Sequence, residues 1–543
     1  MPEATKPNSE EELAGVARAL GASRVGRPSA AERRVLALAG PVAPALVRDV
    51  SAAIARGEDP LGDALCRLRS PAVRRPLGAT YTPEPLVRAM TAWASRRTPA
   101  RVVEPGAGSG RFLVAAGRAF ARAELVAVEI DPLAALLCRA HLSAAGLGAR
   151  ARVVVGDYRE IALDAVSGPT LFIGNPPYVR HHGITPAWKR WLRDTARELG
   201  LSASLLAGLH VHFALRTAEL GQPGDYGAFV TAAEWLDVNY GALFRALVTG
   251  PLGGTSLHAV APTARVFADA DTTAVIACFE LGSAPASLRL QRVDRVSELA
   301  TLGSGKRVAR ARLAGASRWT PLFGSPPSRP HGFVELGELC RVHRGQVTGR
   351  NAVWIEGTHS RMLPENVLFR TVTRARELFV AGEALARHAV LRRVIDLPLE
   401  LDSLSTSERR AVERFLRVAR ELGAHRGFVA EHRRAWWSVG LYEPAPILAT
   451  YMARRTPAFV RNLAFARHIN VAHGLYPRDL LPESTLDALA RYLAGATRLA
   501  DGRTYAGGLT KFEPREMERL LVPEPSLLAR GFGTERARRG KLV

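Results

Sequence analysis

The amino-acid sequence predicts an α/β chain: a Rossmann-like, doubly wound domain with a helical segment before it and an α+β domain after it. Three features carry this expectation. From Arg101 to about residue 285, short apolar runs alternate with longer amphipathic segments, the pattern of strands and crossover helices in a mostly parallel sheet. The first of those runs ends in three closely spaced glycines ahead of a helix. Beyond residue 330 the periodicity becomes mixed and the charge turns strongly positive.

At 543 residues with 47% hydrophobic side chains, the chain is too long for one ordinary domain and apolar enough to bury several cores. The expected division is a helical N-terminal segment over 1–75, the doubly wound domain over 76–285, a linker over 286–329, and a second domain over 330–543. Residues 10–75 read as short amphipathic helices punctuated at Gly26-Arg27-Pro28. The net charge is +23, and residues 286–543 hold 43 Lys and Arg against 25 Asp and Glu, whereas the first 285 hold 31 against 26. Only Lys6, Lys189, Lys306, Lys511 and Lys541 are lysines. A GC-rich coding bias favours arginine over lysine but does not unbalance the signs, so the C-terminal half reads as a surface for a polyanion. The four cysteines lie far apart without paired spacing, which argues against a zinc site or a disulfide framework. No apolar leader or membrane-length run is present, and a reducing cytoplasm is the expected location.

The chemistry concentrates where strands run into loops. Val102-Val103-Glu104 leads into Gly106, Gly108 and Gly110, glycines that let the backbone turn sharply and approach a ligand closely. Such a turn alone is shared with dinucleotide enzymes and many plain loops. Twenty-five residues after Glu104, the second strand ends in Val128-Glu129-Ile130-Asp131, which places a carboxylate to accept hydrogen bonds from both hydroxyls of a ribose. The third strand is followed by Gly156-Asp157-Tyr158. One loop acid is ordinarily just solvated; three in order at one sheet edge point to a nucleoside-bearing ligand.

The fourth strand ends in Gly174-Asn175-Pro176-Pro177-Tyr178. An exocyclic amine is a poor nucleophile because its lone pair is delocalised into the ring, so acceptors must draw its N–H bonds out of plane. The Asn175 side-chain oxygen and the Pro176 carbonyl suit that task on a stiff Pro-Pro backbone, and Tyr178 suits stacking on a base. No metal or covalent intermediate is called for.

On these residues the chain resembles the gamma class of N6-adenine DNA methyltransferases, which includes modification enzymes of type II restriction systems. Gly78-Ala79-Thr80-Tyr81-Thr82-Pro83 stands ahead of the glycine loop, as that class places it. The resemblance implies a class I S-adenosylmethionine-dependent methyltransferase domain, adenine-specific and site-specific, acting on a base flipped out of double-stranded DNA. It assigns Thr82, Glu104, Gly106, Gly108, Gly110, Glu129 and Asp157 to the cofactor. Thr82 would lie against it, Glu104 near its methionine part, Glu129 on the ribose and Asp157 on the adenine. It assigns Asn175, Pro176, Pro177 and Tyr178 to catalysis, and Tyr178 and Phe267 to stacking on the target base. For Phe267, plain core packing is the competing reading.

The same resemblance puts sequence recognition in the C-terminal domain, whose opening is similar to residues 342–351 and whose closing segment is similar to residues 504–523. Arg344, Arg350, Arg433, Arg434, Arg454 and Arg455 are the candidate DNA contacts, since guanidinium forks suit phosphates and guanine edges. Trp436 and Trp437 suit core as well as contact. Expected partners are double-stranded DNA and a separate restriction endonuclease or defence-system subunit, in a nucleoid-associated cytoplasmic setting. Two readings compete. Glutamine-N5 methyltransferases acting on release factors, and some RNA methyltransferases, share Asn-Pro-Pro-Tyr, but they need neither the early Thr-Pro segment nor a long basic C-terminal half. A catalytically idle DNA-binding subunit of a restriction assembly would not need the three acids.

Overall fold

A computed structural model of the chain describes residues 6–74, 76, 78, 82–261, 264, 274–324, 330–387, 390–453, 455–505 and 509–530. Residues 1–326 and 327–543 form two compact units.

The first unit opens with six helices: α1 (Glu10–Ala19), α2 (Ala30–Ala37), α3 (Pro44–Arg56), α4 (Pro60–Leu68), α5 (Pro71–Arg74) and α6 (Glu84–Ala94). Their starts are legible in the chain. Ser9 caps α1, Ser29 and Glu32 form a reciprocal capping box on α2, and Asp59 caps α4 behind a proline at its first turn. The alternating region follows as β1 (Arg101–Pro105), α7 (Arg111–Ala119), β2 (Glu124–Glu129), α8 (Pro132–Ala144), β3 (Ala151–Val155) and β4 (Thr170–Gly174). It continues as α9 (Pro186–Glu198), α10 (Leu209–Leu220), β5 (Tyr226–Ala232), α11 (Ala242–Thr249), β6 (Gly254–Val260) and β7 (Ala274–Glu280).

These strands lie in one nine-stranded sheet of order β3-β2-β1-β4-β5-β7-β6, extended by β8 (Ser287–Val293) and β9 (Lys306–Ala309). Strands β1 to β5 pair in parallel, and β7 is antiparallel to both β5 and β6. The carboxyl ends of β1 to β4 therefore share one edge, and the strand order reverses between β1 and β4, where such sheets bind ligands.

Alternate residues of each strand feed opposite cores. Val102, Leu125, Leu171 and Ile173 pack with Leu86, Met90 and Leu113 from α6 and α7 on one face. Val103, Val126, Phe172 and Phe229 pack with Leu215 and Leu247 from α10 and α11 on the other. Apolar strands buried on both faces account for the short hydrophobic runs in the sequence.

The N-terminal helices are not a free-standing segment. Leu13, Val16, Leu46, Val50, Ile54, Leu61 and Leu65 bury against Leu133, Leu136 and Leu137 of α8. A buried ion pair, Arg139 Nε to Glu32 Oε1 at 2.6 Å, ties α2 to the same helix. The stretch expected as a linker, 286–329, also differs from expectation. It supplies β8, parallel to β6, and β9, antiparallel to β8, so the sheet runs past residue 285 and the chain divides after Pro326. Strand β8 was hidden by its flanks of Gly, Pro and Arg, although Leu288, Leu290 and Val293 point inward.

The second unit is α+β, as expected. A four-stranded antiparallel sheet has the order Cys340–Arg344, Ala472–Pro477, Ile447–Thr450, Phe459–Arg461. Phe333–Glu335 and Leu521–Pro523 pair antiparallel, joining the two ends of the unit. Helices Thr406–Glu421 and Glu483–Ala496 complete its cores, the first through Val412, Phe415 and Ala419, the second through Leu486, Leu489 and Leu493.

Candidate cofactor and catalytic site

One cleft at the carboxyl edge of β1 to β4, partly open to solvent, gathers most of the cofactor and catalytic candidates singled out in the sequence. Thr82, Glu104, Gly106, Gly108, Glu129, Asp157, Asn175 and Pro177 all line it.

The glycine loop turns with Gly106, Gly108 and Gly110 at φ of 67°, 55° and 79°. Gly110 is constrained twice, because a Cβ there would sit 2.6 Å from Cys138 Sγ. The turn delivers α7 into the sheet edge, where buried Glu104 receives the backbone N–H groups of Leu113 at 2.8 Å and Phe112 at 3.4 Å. Burial drives the Glu104 carboxyl well above the usual range, and these amide bonds only partly oppose it.

Glu129 accepts from Gly108 N at 2.7 Å and from Asp131 N at 2.9 Å, one amide on each oxygen. Burial again outweighs the amide hydrogen bonds, and its pKa is raised. A carboxylate oxygen has more than one lone pair, so both oxygens retain capacity for a ligand hydroxyl. Ile130, between the two acids, lines the cleft with 54% of its surface exposed, an apolar platform for a ring.

Asp157 is bound by Arg159, with Nη2 to Oδ2 at 2.5 Å and Nε to Oδ1 at 2.9 Å, and also accepts from Arg159 N. The Arg159 guanidinium lies 3.7 Å over the Trp188 ring of α9. Burial raises the Asp157 carboxyl, the Arg159 hydrogen bonds and charge lower it by more, and the net shift is downward.

Asn175 and Pro177 line the cleft, Pro176 is buried, and Tyr178 is half-buried with its hydroxyl donating to Val230 O at 3.4 Å. Tyr178 N donates to Gly78 O at 3.2 Å, so the segment ahead of β1 holds the one after β4. Gly78 has φ of 64°, and a Cβ on it would meet Tyr178 N at 2.6 Å.

The expected base-stacking residue Phe267 lies outside the described residues, as does Arg454. In the second unit Arg344, Arg350, Arg434 and Arg455 are exposed. Arg344 sits 5.2 Å over Tyr451 and Arg455 3.4 Å over Phe379. Arg350 donates to Gly423 O at 3.4 Å, and half-exposed Arg433 donates to Val347 O at 2.5 Å. Trp436 and Trp437 pack against the core rather than standing free.

Residues that the sequence reading did not single out also reach the cleft: Leu65, Arg69 and Arg74 from the N-terminal helices, and Arg159 after β3. Arg159 is two residues from Asp157, a spacing that could have suggested it. Arg69 and Arg74 come from a part of the chain with no local motif.

A doubly wound sheet with antiparallel β7 between β5 and β6, three acids on successive strand ends and a glycine turn at the switch point defines a class I S-adenosylmethionine-dependent methyltransferase. The cleft fits that cofactor: a Cβ at Gly106 would meet Pro177 Cδ at 3.3 Å and narrow it, Ile130 offers an apolar face, and Glu129 keeps acceptor capacity.

The sequence comparisons sharpen the class. The family model for the C-terminal domain of the type II methyltransferase M.Eco57I matches residues 328–537. The chain is 53% identical over 447 residues to the type II methyltransferase M.XamI of Xanthomonas campestris pv. amaranthicola, covering 82% of this chain and 85% of that protein. It is 38% identical over 96 residues to a release factor glutamine methyltransferase of Bordetella pertussis, covering 18% of this chain and 34% of that one. The crystal structure of the type IIG restriction endonuclease BpuSI superposes with a TM-score of 0.48 at 15% identity, covering 97% of this chain and 71% of that chain. The chain belongs to the type II methyltransferase family, the DNA methyltransferases of restriction–modification systems.

Proposed function

We propose that this methyltransferase modifies the exocyclic N6 amine of an adenine flipped out of duplex DNA. The observation that carries the reading is that Asn175 and Pro177 stand in the same cleft as Glu104, Glu129 and Asp157, across the switch point from the glycine loop.

Bound S-adenosylmethionine supplies an electrophilic methyl group on a sulfonium, so the protein's task is alignment. Glu129 would accept from the ribose hydroxyls, Asp157 from the adenine amine of the cofactor, and Thr82 and the glycine turn would wall the methionine part. The Asn175 side-chain oxygen and the Pro176 carbonyl would each accept one N–H of the target amine, pulling its lone pair out of conjugation and toward the methyl carbon. Tyr178, braced by Gly78 and Val230, would stack on the base. The excess proton on nitrogen leaves to water after transfer. Such an amine is out of reach in a stacked duplex, so the target base must leave the helix.

Arg344, Arg350, Arg433, Arg434, Arg454 and Arg455 would meet the DNA in the basic C-terminal unit. A separate restriction endonuclease would be the partner, in the cytoplasm. The test is incubation with S-adenosylmethionine and mixed-sequence duplex DNA, followed by nucleoside analysis. N6-methyldeoxyadenosine is expected; methyl label in cytosine or in protein glutamine overturns the assignment.

A further inference from the structure

The N-terminal helices enter the cofactor site through two acid-centred contacts. Asp59, whose side chain is 3% exposed, uses Oδ1 to cap α4 through Gly62 N at 2.8 Å. Its Oδ2 receives Ser109 Oγ at 2.5 Å and Arg111 Nε at 3.0 Å, both from the glycine loop and the start of α7. Arg111 continues the link, donating to Thr82 O at 2.8 Å and to Asp63 Oδ1 at 2.7 Å. His141 of α8 completes the cluster, with Nδ1 at 3.1 Å from Ser109 O and 3.7 Å from Asp59 Oδ1.

The second contact is Arg69, just after α4. It is held by Glu10 at 2.8 and 3.0 Å and pairs with Asp131. Asp131 caps α8 through Leu133 N, and its own N–H is bound by Glu129. Arg69 thus fixes the residue that orients Glu129, and Asp59 fixes the turn whose Gly108 N–H is bound by the same carboxylate.

We infer that the N-terminal helices are part of the cofactor site, with Asp59 and Arg69 as positioning residues that hold the glycine loop and Glu129 in the binding geometry before the cofactor arrives. Residues 10–75 supply no atom to the reaction on this account. They supply rigidity. A turn built on three left-handed glycines is conformationally permissive, and the buried Asp59 bridge removes that freedom in the free protein, so that ordering is not deducted from cofactor affinity.

The test uses the full chain and Asp59→Asn, in which the amide oxygen still caps α4 while the charge facing Ser109 and Arg111 is lost. Hydrogen exchange at the 106–110 amides of the free protein should accelerate. The Kd for S-adenosylmethionine should rise about tenfold by calorimetry, with kcat at saturating cofactor within about twofold of wild type. Ser109→Ala and Arg69→Gln, which break the two contacts from other positions, should move the same Kd in the same direction. A lowered Tm with unchanged cofactor Kd and unchanged loop exchange in all three variants would make the contacts merely structural and overturn the inference. The exchange, calorimetry and Tm readouts require no methyl acceptor, so they stand apart from the adenine assignment.

Discussion

Arg159 grips Asp157 through Nη2 at 2.5 Å and Nε at 2.9 Å while its guanidinium rests on Trp188. The acid expected to meet the cofactor adenine thus already has a cationic partner, and the adenine amine must share the carboxylate with it. The pair also sets a pH dependence. Because the folded pKa of Asp157 is lowered, its stabilising contribution is present above the unfolded value of about 3.9 and disappears as pH falls through the folded one. In Arg159→Ala burial would dominate and raise the folded pKa, so Asp157 would oppose folding as pH rises through that pKa. Thermal unfolding across an acid pH series checks the sign: the variant should lose stability relative to wild type as pH rises above about 4.

Glu129 is raised by burial, the opposite case. It must be ionised to accept both ribose hydroxyls, so cofactor affinity should weaken on acidification at a pH above the ordinary glutamate value of about 4.3. Glu129→Gln should bind S-adenosylmethionine roughly tenfold more weakly at neutral pH and show a flatter pH profile. Calorimetry of the two proteins across that range reads both effects.

Gly78 and Tyr178 are joined through the backbone, with no room for a Cβ between them. Gly78→Ala should displace the Asn175–Tyr178 loop and lower kcat by about a hundredfold, as small misplacements of reacting groups do. Single-turnover kinetics on a DNA substrate would separate this loss from any change in cofactor Kd.

Arg344, Arg350 and Arg434 are exposed in the basic unit. If each neutralises one phosphate, the triple alanine variant should flatten the slope of log K against log salt by roughly 3. An unchanged slope would relocate the DNA surface.

Much of this site was legible because its signals are local. Each acid closes a strand, each glycine precedes a helix, and Asn175-Pro176-Pro177-Tyr178 follows an apolar run, so periodicity and punctuation together placed them on one edge. What stayed hidden depends on contacts far apart in sequence. Ser109 meets Asp59 fifty residues away and Asp131 meets Arg69 at sixty-two, distances over which an amphipathic helix reveals its apolar face but not its dock. Strand β9 shows only Val308 buried among Lys306, Arg307 and Ala309, too short for any period to appear, and its membership in the sheet is decided by pairing with β8. Arg159 looks like any other arginine in an arginine-rich chain.

The Asn175 loop is proposed to methylate N6 of adenine in duplex DNA. Single-molecule methylome sequencing of DNA from cells expressing the wild-type chain or Asn175→Ala tests it most directly. N6-methyladenine is expected at one sequence motif with the wild type and at none with the variant, whose cofactor affinity is retained. Equal modification by both proteins, or unmodified adenine in both while the wild-type protein methylates another substrate, would contradict it.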